Sequence, residues 1–134
     1  MAGKLKKKSL PFQTGVVGDV SFTVGAEATN VVNVAGQVKD ENGKAITQRV
    51  MLHVWLSDVA TGLGLCAVAP SGTVVIGTNG TILASIVAKT CLLIQTDASG
   101  RFDLNITEAG AKTLYVGARL PDGTFKVSSV ATWT

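Results

Sequence analysis

His53 is the only histidine in the chain, and Ser57 and Asp58 follow it closely, so a base, a nucleophile and a carboxylate lie in one short stretch. Serine chemistry needs those three groups in a hydrogen-bonded line, the imidazole taking the hydroxyl proton and the carboxylate orienting the imidazole. Folds assemble such sets from separate elements; neighbours in sequence do not meet that way. His53 instead sits mid-run in RVMLHVWLSD, where apolar residues alternate. That alternation places Met51, His53 and Trp55 together on one side of a strand, as a candidate contact patch for another protein. No catalytic residue is assigned, and the chain is read as a non-enzyme.

Metal chemistry finds no better support. Asp97, Ser99 and Asp103 offer oxygen donors close in sequence, as do Asp40, Glu41 and Asn42. Neither group has the acidic spacing and closing glutamate of a calcium loop, and a turn capped by an aspartate side chain accounts for both. Cys66 and Cys91 stand far apart, with one histidine and no Cys-x-x-Cys pair, so no zinc pattern is present. In a reducing compartment they are read as separate thiols, a disulfide across the core being the alternative. The glycines are scattered through turns, and none cluster before a helix as a phosphate loop requires. Gly62 and Gly64 fall in the apolar loop DVATGLGLCAVAPSG, which is either plain surface or a binding loop carried on a rigid scaffold. No metal or cofactor is expected.

The remaining chemistry is electrostatic. Lys4, Lys6, Lys7 and Lys8 are four of the 12 Lys and Arg residues, against 9 Asp and Glu in the whole chain. The formal charge of +3 therefore belongs to the first residues and not to the body, and so does the pI of about 9.0. Three readings of this segment stand: a solvated tail, a nucleic-acid arm, or a strap that docks on a protein. Nucleic acid is the weaker partner, because there is no arginine to read bases and only Phe12 to stack on them. Docking is favoured: Leu5, Leu10 and Phe12 flank the lysines as apolar anchors, and Pro11 keeps the segment extended. The following SLPFQTGVVGDVSFTVG is too interrupted for the apolar core of a signal peptide, and no run is long enough to cross a membrane as a helix. Synthesis in a cytosol, with no membrane partner, is the expectation.

The elements that must position these residues are strands. DVSFTV, NVVNVAGQV, RVMLHVWLSD and RFDLNIT all alternate. In RFDLNIT, Phe102, Leu104 and Ile106 face inward while Arg101, Asp103, Asn105 and Thr107 face out. TVVIGTNGTILASIVA reads as a hairpin turning at Asn79-Gly80. TCLLIQT, TLYVGARL and TFKVSSVATW supply further strands, and DENG, DASG and PDG are turns. Seven to nine short strands with no βαβ rhythm predict an all-β sandwich, residues 19–134, behind an arm of residues 1–18.

The segment TDASGRFDLNITEAGAKTLYV resembles the end of a bacterial immunoglobulin-like domain, with Asp97, Gly100, Glu108, Gly110 and Tyr115 matching its pattern. That resemblance implies an immunoglobulin-like Greek-key sandwich, with a structural corner at Glu108 and Gly110. It also implies a Tyr115 hydroxyl that ties down a crossover. Over about residues 20–133, SFTVGAEATNVVNV, WLSD, APSGTVVIGTNGT and NITEAGAKTLYVGARLPDG are similar to small immunoglobulin-like virion proteins of tailed bacteriophages. This implies a structural protein on the virion surface, a capsid decoration (cement) protein whose partner is the major capsid protein. A tail-associated or host-recognition module is the alternative, with nucleic-acid binding through the lysines a second.

Composition bears on assembly. Charged residues are 16% of the chain and hydrophobic ones 46%, with mean hydropathy +0.37, whereas soluble proteins carry about 25% charge. Either neutral polar residues cover the surface or other subunits do. Burial in an assembly is the expectation, as a homo-oligomer with a trimer favoured over a dimer.

Overall fold

The computed structural model describes residues 17–134. The arm residues named above (Lys4, Leu5, Lys6, Lys7, Lys8, Leu10 and Phe12) lie outside the described residues.

The described residues form ten strands and no helix. They are β1 (Val17–Val24), β2 (Val31–Asp40), β3 (Met51–Ser57), β4 (Val74–Ile76), β5 (Thr81–Val87), β6 (Cys91–Gln95), β7 (Arg101–Thr107), β8 (Lys112–Arg119), β9 (Phe125–Val127) and β10 (Ala131–Trp133). A smaller sheet runs β1-β2-β7-β4, and a larger one runs β10-β8-β3-β6-β5, with β9 also paired to β8. Val32, Val34, Val38, Phe102, Leu104 and Ile106 of the smaller sheet share one buried cluster with Leu52, Val54, Leu56, Ile94, Leu114 and Val116 of the larger. The protein is thus all-β, two antiparallel sheets packed through a common core.

The pleat explains most of this. In β2, Val32, Val34, Gly36 and Val38 point inward, and β7 answers with Phe102, Leu104 and Ile106 in register. Gly36 is cross-strand from both Phe22 and Phe102, and its missing side chain makes room for the Phe102 ring. The two rings meet edge to face, 6.3 Å apart at 87°. The predicted turns form: Asp97 Oδ1 accepts the Ser99 and Arg101 amides, and Asp40 Oδ1 accepts those of Asn42 and Lys44. Trp133 closes one end of the core, its Nε1 donating to the Asn30 carbonyl at 3.1 Å.

Three expectations change. Val17 and Gly18, assigned to the arm, belong to β1, where Val17 pairs with Asp40. The hairpin turning at Asn79-Gly80 does not form: β4 pairs with β7 in the smaller sheet and β5 with β6 in the larger, so this segment crosses between sheets. Asp103 is the cause. Its carboxylate accepts the Thr78 and Asn79 amides, at 2.9 and 2.6 Å to Oδ1, and the Asn33 side-chain amide at 2.7 Å to Oδ2. It is therefore buried under the crossover, although its place in β7 points it away from the core. Finally, TFKVSSVATW is two short strands. Between them Ser128 accepts the Val116 amide on Oγ and returns its own amide to the Val116 carbonyl.

Candidate functional site

The outer face of the larger sheet carries the feature most suited to binding. Met51 and His53 project from β3 into solvent, with Met51 58% exposed. Trp55, the third member of the predicted patch, points the same way but is buried. Two contacts explain this. Its ring lies over Gly117 of β8, where a Cβ would come within 2.5 Å of Cε2, so only glycine leaves room. The loop after β3 then folds back over it, and Trp55 Nε1 donates to the Gly62 carbonyl at 2.8 Å. Gly62 has φ +75° and packs against Val127, which pins the loop to β9.

The loop, Trp55 and the neighbouring strands enclose an open cavity of about 500 Å³. Its walls include Leu63 and Leu65 from the loop, Ile86 from β5, Cys91 from β6 and Phe125 from β9, with His53 and Arg119 as polar members. Phe125 meets Trp55 edge to face at 5.6 Å. The Arg119 guanidinium lies 5.9 Å from the Trp55 ring centre and 6.0 Å from that of Phe125, and Nη1 donates to the Gly123 carbonyl. The arrangement is an aromatic floor with aliphatic rims and one cation, suited to an apolar side chain or surface.

The groups first considered for chemistry have other partners. Ser57 is fully buried, and its Oγ accepts the Val59 amide. Asp58 Oδ2 accepts the Ala67 amide. Cys66 and Cys91 are both free thiols. Cys66 lies in the core, where burial, and secondarily Asp58, push its thiol above the usual range.

At the predicted corner, Glu108 accepts the Ser71 amide at 3.0 Å and the Gly110 amide at 3.2 Å, with Lys112 Nζ 3.8 Å away. The Ser71 amide above all holds this carboxyl below the usual range. Glu108 and Gly110 thus act together, clamping the loop before β4 to the end of β7. Tyr115 stands elsewhere, across from Ser57 on the outer face, and its hydroxyl bonds no described residue.

The sequence pattern marked Met51, His53 and Trp55 as a patch and offered the Gly62 and Gly64 loop as a binding loop, but did not join the two or find Ile86, Cys91, Arg119 and Phe125 beside them. A signal was available: residues 59–88 contain no charged side chain. Of the ten large hydrophobic residues exposed among the described residues, eight fall within this stretch, so the missing charge marks exposed apolar surface and not core. No family model matches the chain, and no curated protein does either.

Proposed function

We propose that this chain is an immunoglobulin-like sandwich that serves as a structural protein of a phage particle, binding the outer surface of the capsid and stabilising it. The observation that carries a binding role is the apolar surface on one sheet face, where Met51, Leu63, Leu65, Ile86 and Val87 are exposed together around the cavity. The strand order favours the immunoglobulin-like assignment. Connections from β2 to β3 and from β7 to β8 pass between sheets, and β1-β2-β7-β4 opposes β8-β3 with β10 at the far edge. The sequence resemblance to small virion proteins supplies the particle, and the lysine segment supplies a second point of attachment on the major capsid protein.

Binding only the assembled shell stabilises that shell by mass action, and modest affinity per copy suffices when neighbouring copies engage together. The test is co-sedimentation with mature capsids stripped of the protein. Full-length chain should bind saturably and raise the temperature at which the capsids rupture. Changing Lys4, Lys6, Lys7 and Lys8 to Ala should weaken binding by about tenfold or more. No binding by the full-length chain removes the capsid assignment. The Gly62–Leu65 loop, walling a cavity from a rigid sheet, favours host recognition as the second reading; host-cell binding lost with Leu63→Ser and kept without the lysines would establish it.

A further inference from the structure

We propose that the cavity between Trp55, Phe125 and Ile86 binds a small carboxylic acid, its apolar body on the aromatic floor and its carboxylate on Arg119. The volume, about 500 Å³, falls within the range of about 300–1,000 Å³ typical of small-ligand sites. The site is also pre-formed. Trp55 is seated on Gly117 and bonded to the Gly62 carbonyl, and Gly62 packs against Val127, so the chain's own contacts fix the loop wall.

The cation decides the ligand's charge. Arg119 is the one permanent charge in the cavity wall, and no carboxylate pairs with it among the described residues. The acids that flank the site serve their own turns: Asp58 Oδ2 accepts the Ala67 amide, and Asp122 Oδ1 accepts the Thr124 amide and hydroxyl. Residues 59–88, which supply the loop and all of β5, add no acid. The guanidinium is oriented by the two rings and by one Nη1 bond to Gly123, which leaves its other N–H donors for a ligand. His53 pairs with Arg119 across β3 and β8 and stands in the same wall, where its imidazole can supply a further donor. A planar guanidinium grips a carboxylate through two parallel N–H bonds, which a hydroxyl cannot match.

The same cation selects against other occupants. A second copy centred on the cavity by a two-fold axis would set its own Arg119 against this one, like charges within an apolar contact. A cationic ligand would meet the same repulsion. A wholly polar ligand would give up its water against Leu63, Leu65 and Ile86, which offer it no hydrogen bond.

The test uses the full-length chain and probes that share one apolar body: phenylbutyrate, phenylbutanol and phenylbutylamine. Binding is read from tryptophan emission, since Trp55 floors the cavity whereas Trp133 lies in the core. Maleimide labelling gives a second readout, with Cys91 in the cavity wall and Cys66 in the core. At low salt the acid should bind about threefold or more tighter than the alcohol, and the amine weakest of all. The acid should also slow the labelling of Cys91. Arg119→Gln should bring the acid down to the level of the alcohol, and Leu63→Ser should weaken both alike. Arg101→Gln, exposed on the smaller sheet, should leave the preference unchanged. Arg119 and Leu63 are exposed, so circular dichroism and thermal unfolding of these variants should match the wild type. An acid that binds no tighter than the alcohol overturns the proposal, as does a preference that survives in Arg119→Gln. So does a wild-type chain whose emission and labelling ignore every probe. Capsid binding is no part of these readouts, so the ligand site and the capsid assignment stand or fall separately.

Discussion

Thr29 and Asn30 form the tight turn between β1 and β2, both in the left-handed region at φ 54° and 67°. Asparagine tolerates that region, whereas a β-branched threonine is strained in it. The Thr29 side chain is exposed and makes no hydrogen bond among the described residues that would repay the strain. Thr29→Asn should therefore stabilise the protein by about 0.5–1 kcal/mol and raise Tm by about 2–4 °C, which differential scanning calorimetry would read. A lower Tm would show that the threonine is not strained there. Glu108 makes the opposite case, a charge on which the fold depends. Its folded pKa lies below the unfolded value of about 4.3, so its stabilisation is complete above that pH and is lost as the pH falls through the folded value. Glu108→Gln should cost about 1–2 kcal/mol at pH 7, and the gap to wild type should narrow by pH 3. Urea midpoints at the two pH values measure it; an equal gap at both would remove the charge from the explanation.

At the scale of elements, what could be read from the sequence depended on whether the determinant was local. β2 and β7 follow from the pleat alone, since Val32, Val34, Val38 and Phe102, Leu104, Ile106 alternate without a break. The Asn79-Gly80 signal misled because its competitor is distant: the Asp103 carboxylate, 24 positions on, captures the Asn79 amide and holds the segment as a crossover. Trp55 was legible as an outward residue and not as a buried one. Its cover comes from Gly62 and its seat from Gly117, and neither residue announces itself in a strand pattern. The seat makes a prediction. Gly117→Ala should lift the indole from β8, loosen the loop it anchors, and cost about 1–3 kcal/mol. Trp133 is in the core, so the accompanying red shift in tryptophan emission would report on Trp55. Unchanged emission and stability would mean that the ring does not rest on Gly117.

At the scale of the whole molecule, the two proposed means of attachment differ in charge. Lysines 4, 6, 7 and 8 carry four of the 12 cations, whereas the exposed apolar face is built largely from residues 59–88, which carry none. Salt acts on these in different ways. Screening weakens contacts between exposed charges once the Debye length drops from about 10 Å at 0.1 M salt toward 3 Å at 1 M. Apolar burial is not screened, and sulfate salts strengthen it. Raising the salt from low to high should therefore weaken the full-length chain's association with capsids by about tenfold or more. Replacing the four lysines with alanine should remove that salt dependence, so that the binding left to the apolar face stays constant or rises with salt. If high salt left the full-length chain's capsid binding intact, the lysines would not be an attachment, and the apolar face alone would be the surface that grips the particle.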